Sequence, residues 1–149
     1  MTKYCNYSSY GNNGFTDTNT TLDPEDDVAH VKWGGSWRMP TKEECDELIN
    51  NCTWTWCTSE DTEYNRVAGW KVTSKKSGYT DRSIFLPAAG YRDGSSLSGA
   101  GSDSGHWSGS LYDDPSLALR LNLYYYNYYI LNTLDDYRSR GWPVRPVFP

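Results

Sequence analysis

The residues of this chain best suited to chemistry are recognition residues. Five tyrosines fall within Tyr124-Tyr125-Tyr126-Asn127-Tyr128-Tyr129, and Asp135, Asp136 and Tyr137 follow closely. Tyrosine gives a large rigid contact surface at low entropic cost and carries a hydroxyl for polar contacts. Continuing the preceding strand pattern, Tyr125 and Tyr129 point to one face, and Tyr124, Tyr126 and Tyr128 to the other. An antiparallel sheet packs one face and wets the other, so at least one of these sets is expected to be exposed. The candidate ligand-binding residues are therefore Tyr112, Tyr124, Tyr125, Tyr126, Asn127, Tyr128, Tyr129 and Tyr137, with Asp135 and Asp136 at a polar rim. Only one strand face can take part, so roughly half of these are expected to be structural. The plainer reading is an aromatic strand pair with solvated hydroxyls.

Other reactive side chains do not assemble into a catalytic pattern. Cys5, Cys45, Cys52 and Cys57 lack the paired spacing of a zinc site, and His30 and His106 lie far apart in sequence. Cys45 and Cys52 read as free thiols on a helix stripe, with a Cys52–Cys57 bridge as the alternative. The Asp113-Asp114 and Asp135-Asp136 pairs read as solvated carboxylates rather than a glycosidase pair. The acidic run from Asp23 to Asp27 lacks the glycine and spaced oxygens of a calcium loop. Arg138, Arg140 and Arg145 read as ties from the C-terminal segment to acidic loops, or else as an anion site. There is no Gly-x-Ser-x-Gly elbow, no His-Glu-x-x-His and no phosphate loop. The expectation is a protein that is not an enzyme and uses no cofactor or metal. A net charge of −5 argues against a nucleic-acid partner. No apolar run reaches the ~18 residues of a membrane span, so no membrane insertion is expected.

Elements that could hold such a surface are written locally. Thr41 and Glu44 form a capping box, and Cys45, Leu48, Ile49 and Cys52 follow at helical spacing. A second, shorter helix is expected over residues 24–31, capped by Asp23, with Val28 and Val31 buried. Trp33 and Trp37 are expected to anchor a small core. Short strands are expected around Trp54 and Trp56, over 70–74 and over 83–87, the last two joined by a basic turn with Gly78. The Gly- and Ser-rich stretch 90–109 reads as loop, with Trp107 buried within it. Leu117, Leu119, Leu121 and Leu123 alternate with Ala118, Arg120 and Asn122 as a strand with one apolar face. Residues 141–147 read as a closing edge strand. At 149 residues this is one domain, with 1–21 irregular and 22–149 folded, and helices before most strands favour an α+β class.

Five ordered blocks carry a resemblance. They are Leu22-Asp-Pro-Glu-Asp-Asp27, Trp33-Gly-Gly-Ser-Trp-Arg-Met-Pro-Thr41, Ile84-Phe-Leu-Pro-Ala-Ala-Gly-Tyr-Arg92, His106-Trp-Ser108 and Gly141-Trp-Pro-Val-Arg-Pro-Val147. Over about residues 22–147 the chain resembles the Fibrobacter succinogenes major paralogous domain, a family abundant in gut Bacteroidetes. The resemblance implies a C-type-lectin-like fold shared with formylglycine-generating enzymes. It does not carry their activity, because their catalytic cysteines lie in a C-terminal motif and no Cys follows Cys57 here. The Glu-Pro-Asn and Trp-Asn-Asp motifs of calcium-dependent lectins are also missing. Some relatives are variable proteins of diversity-generating retroelements, in which adenine-directed mutagenesis turns Asn codons into Tyr, Asp, Ser, Ile, Thr and Leu codons. Those residues fill the stretch from Leu123 to Ser139. The resemblance also implies a longer segment ahead of the acidic helix, so the chain reads as a fragment or a shortened version. The expected function is adhesion, through binding of a protein or glycan ligand outside the cell, at the cell surface or on a phage particle. A structural module of a larger surface protein, or an enzyme related to the formylglycine generators, are the alternatives.

Overall fold

The Thr41 capping box forms as its spacing demands. Glu44 N–H donates to Thr41 Oγ1 at 3.3 Å, and Thr41 N–H donates to Glu44 Oε2 at 2.9 Å. Arg38 grips the same carboxylate with two 2.7 Å hydrogen bonds, fixing the entry to helix α2 (Lys42–Asn51). Cys45 faces the core, with Leu48, Ile49 and Cys52 packed beside it, as the helical stripe requires.

The computed structural model describes residues 1–61, 63–124 and 130–149. Among them are two α-helices and eight strands in three antiparallel sheets, an α+β arrangement. The acidic helix departs from expectation. Residues 23–26 make only a turn, and helix α1 is Val28–Trp33, capped by Asp27 instead of Asp23. Asp27 Oδ1 accepts from Ala29 N–H at 2.8 Å and His30 N–H at 3.2 Å, while Oδ2 accepts from Met39 N–H at 2.8 Å. The tie to Met39 sets the phase of the helix. Ala29 is turned inward, and Val28 and Val31, three residues apart on one side, are left exposed. Gly34, at φ 67°, ends the helix. Trp33 and Trp37 are exposed rather than core; they pack on each other at 6.0 Å, and Trp37 packs on Phe148 at 5.2 Å.

The first sheet is β1 (Cys52–Cys57), β2 (Gly69–Ser74) and β3 (Ser83–Pro87), in that order, with Trp56 opposite Trp70 and Val72 opposite Ile84. A small hairpin, β4 (Tyr91–Asp93) with β5 (Ser96–Ser98), follows. The third sheet has the order β6-β7-β8, from His106–Leu111, Leu117–Tyr124 and Ile130–Tyr137. The stretch 90–109 is thus not loop throughout. Its small residues serve close approach: a Cβ on Gly105 would lie 2.5 Å from the Trp142 ring. Residues 141–147 do not form the expected strand. They are pinned by two isolated bridges, Gly141 to Arg92 and Val147 to Arg38, because Pro143 and Pro146 have no N–H for a ladder.

Helix α2 packs against β6, β7 and β8. Its Cys45 meets Trp70, Val72 and Leu86 from one sheet and Leu121 and Leu123 from another in a single core. Ser104, 1% exposed, ties those sheets together: its N–H donates to Leu123 O and its hydroxyl to Pro87 O at 2.9 Å. All four cysteines are free. Cys52 and Cys57 stand at opposite ends of β1, about 17 Å apart at strand rise, which no disulfide spans. The first 21 residues hold one short 3-10 turn, Asn12–Gly14, and residues 20–22 pair with the edge of β6.

Candidate ligand-binding site

The leucine alternation of β7 positions the tyrosines around it. Leu119, Leu121 and Leu123 are buried, so the odd positions face the core and α2, where Thr133 Oγ1 of β8 donates to Asp46 at 2.6 Å. Tyr137, opposite Leu117, shares this odd face but lies beyond the buried leucines, at the end of the sheet, and is 57% exposed. Tyr124, opposite Ile130, lies on the other face and at the far end of the same strand pair. Seven residue steps separate the two ends, about 23 Å. Tyr112, exposed, lies at the Tyr137 end, where it lines a polar cleft of about 210 Å³ with Tyr4, Asp17 and Arg138. Asp135 is half-buried opposite Leu119. The described candidates therefore do not converge on one patch. Tyr125, Tyr126, Asn127, Tyr128 and Tyr129 lie outside the described residues.

Asp136 is buried and internally spent, not a rim carboxylate. Trp142 Nε1–H donates to Oδ2 at 2.8 Å, Arg120 Nε–H to Oδ2 at 3.2 Å, and Arg140 to Oδ1 at 2.7 Å. Burial opposes its ionisation, but the hydrogen bonds from Trp142, Tyr137 N–H and Arg140, with the Arg120 charge, outweigh burial and hold it below the usual carboxylate range. Arg120 also lies 4.2 Å over the Trp142 ring and donates to Asn122, which reaches Asn132. This is the polar face of the sheet, closed by the C-terminal segment. Leu134 and Tyr124 on this face are exposed.

No protein-family model, curated protein or solved structure matches this chain.

The remaining candidate groups are engaged in structure. Lys3 Nζ sits among Asp23, Glu25 and Asp26 at 2.8–3.0 Å, taking the place a cation would need. Its hydrogen bond holds the Asp26 carboxyl low. Asp114 accepts from its own turn, Ser116 N–H at 2.8 Å and Ser116 hydroxyl at 2.7 Å. Of the three C-terminal arginines, Arg140 ties to Asp136 and Arg138 donates to the carbonyls of Leu117 and Tyr4, whereas Arg145 has no acidic partner among the described residues. Burial pushes the Cys45 thiol up to about 12, which makes it a poor nucleophile at neutral pH.

One site escapes sequence reasoning. Beneath residues 145–148 lies an apolar cavity of about 320 Å³, lined by Cys45 and Leu48 of α2, Ile84 and Leu86 of β3, Leu121 of β7, and His106 of β6. His106 is 4% exposed, and its Nδ1 has no hydrogen-bond partner. Burial, with the Arg145 charge adding to it, pushes this imidazole down to about 4, so it is neutral at physiological pH. The only sequence signal was a histidine beside Trp107 in a Gly- and Ser-rich stretch that reads as loop. The buried positions of β6, His106, Ser108, Gly109 and Ser110, are polar residues and a glycine, which hydrophobic periodicity does not detect.

Proposed function

We propose that this protein is a non-enzymatic ligand-binding domain of C-type-lectin-like fold that presents the Tyr-rich end of β7 and β8 to a protein or glycan on another surface. The observation that supports this is the unbroken β7–β8 ladder, from Leu117 opposite Tyr137 to Tyr124 opposite Ile130. Buried Leu119, Leu121 and Leu123 anchor that ladder. A ladder anchored in this way is a rigid scaffold of the kind that carries binding segments. In this reading Tyr124, Tyr125, Tyr126, Tyr128 and Tyr129 are the aromatic anchors. Tyr112, Asp135 and Tyr137, at the distant end, do not belong to the same contact. Diversification by a retroelement and an extracellular, cell-surface or phage-particle location belong to the same proposal.

The test is a full-chain variant with Tyr124, Tyr125, Tyr126, Tyr128 and Tyr129 all changed to Ser, compared with the parent on a glycan array and a displayed library of gut-surface proteins. The parent is expected to yield a binder that the variant loses while melting at nearly the same temperature. A binder retained by the variant, or a variant that no longer folds, assigns the tyrosines to structure and overturns the proposal. Deep sequencing of the locus then separates fixed from diversified specificity. Substitutions crowded at adenine-templated codons in 110–140 are the expected pattern.

A further inference from the structure

We infer that the cavity between α2, β3, β7 and residues 145–148 binds a small amphiphilic carboxylate, its acid group held between His106 and Arg145 and its hydrocarbon body against Leu48, Ile84, Leu86 and Leu121.

The volume, about 320 Å³, falls at the small end of the range for ligand pockets (~300–1,000 Å³). It equals about ten water volumes, room for a ligand of about ten non-hydrogen atoms. The walls are apolar, so water inside gains little, and a hydrocarbon body fills them favourably. A buried polar atom without a partner is costly, and native structures keep few of them. His106 lines this cavity, and its Nδ1, closed off in the free protein, is the one such side-chain atom among the lining residues that are described. A neutral imidazole in the Nδ1–H tautomer donates to a carboxylate oxygen and satisfies it.

The sign of the ligand's charge follows from the two charged residues at the cavity. Glu44 is already neutralised by both Arg38 hydrogen bonds and the Thr41 N–H. Arg145 is exposed and lacks a carboxylate partner among the described residues, so the uncompensated charge is positive. A guanidinium prefers a carboxylate, which it can hold with two parallel hydrogen bonds. The site uses none of the tyrosines and stands independently of the surface proposed above.

Octanoate has the required size and charge, octanol has the same body without the charge, and octylamine reverses it. Protein-observed NMR titration of the full chain with octanoate is expected to move resonances of residues 45, 48, 106, 121 and 145–148 saturably. Octanol should bind more weakly and octylamine not at all. Arg145→Gln, at an exposed position that leaves the core intact, is expected to weaken octanoate by about tenfold or more without changing octanol. Leu48→Phe, which fills the space, should abolish both. Absence of saturable shifts at these residues up to millimolar octanoate overturns the site. Equal affinity for octanoate and octanol, or an Arg145→Gln variant that binds octanoate as well as the parent, overturns the assignment of an acid.

Discussion

Trp142 and Asp136, six residues apart, share a hydrogen bond of 2.8 Å in which the buried indole N–H donates to a buried carboxylate. The same oxygen takes Arg120, whose guanidinium lies over the Trp142 ring. One aspartate thus joins β7, β8 and the C-terminal segment, which has no ladder of its own. Removing one partner of a buried ion pair costs about 3–5 kcal/mol, because the other charge stays behind unpaired. Asp136→Ala is therefore expected to lower the melting temperature by on the order of 10 °C for a chain of this size. Asp136→Asn, which can keep an acceptor for Trp142, should lose less. Calorimetry that finds Asp136→Ala within about 1 kcal/mol of the parent would place this residue among exposed pairs.

Two aspartates compete for the role of helix cap, and thermal melts distinguish them. Asp27 satisfies Ala29, His30 and Met39 N–H groups, so Asp27→Ala should lose about 1 kcal/mol for the cap and about 1–3 more for the stranded Met39 N–H. Asp27→Asn keeps one acceptor oxygen and should fall between. The Asp23 side chain meets Lys3 at the surface, and Asp23→Ala should change stability by less than about 1 kcal/mol. The reverse ranking would mean that the helix starts where the sequence pattern alone puts it.

That contrast marks where the sequence was legible. The Thr41 box, the Cys45 stripe and the Leu117 to Leu123 alternation are each determined by neighbours within one turn or one strand, and each formed as read. Asp23 and Asp27 are equally good caps locally; the choice is made by Met39, twelve residues on, which no local pattern reports. Trp33 and Trp37 have the size of core residues, yet in this segment it is Ala29 and Met39 that are buried while both indoles stay exposed. Strand β6 was hidden because its buried positions are His106, Ser108, Gly109 and Ser110, stabilised by contacts with chain far away in sequence. The cavity was hidden for the same reason, since six separate segments build its wall.

Thiol reactivity should follow burial. Cys5, Cys45 and Cys57 are 0%, 2% and 4% exposed, whereas Cys52 is half-buried at the start of β1. Burial pushes the Cys45, Cys52 and Cys57 thiols all upward, so no low-pH thiolate is expected from these three. Under native conditions near pH 8, iodoacetamide should label Cys52 first and the other three only with unfolding. Peptide mass spectrometry reads the order. Rapid native labelling of Cys45 would show that α2 opens far more often than its packing implies.

The buried imidazole of His106 should be visible in acid. Its folded value is pushed down to about 4 against about 6.5 in the unfolded chain. Between these values the unfolded state binds the proton and the folded state does not, so stability rises with pH. Full stability is present above about pH 6.5 and is lost as pH falls toward 4, by about 3 kcal/mol in all. The groups around the cavity sharpen the assignment: Arg145 opposes protonation, Cys45 stays neutral, and Glu44 is held by Arg38. Glu44 and Asp136, both held low, add their own loss only below about pH 5, where unfolded carboxylates begin to protonate. Denaturant unfolding at pH 7, 6 and 5 should therefore show a decline that His106→Gln flattens, and the His106 ring signals should titrate well below those of a free histidine. A His106 midpoint near the ordinary histidine value would show the ring reached by water, and would remove the dry wall on which the carboxylate site depends.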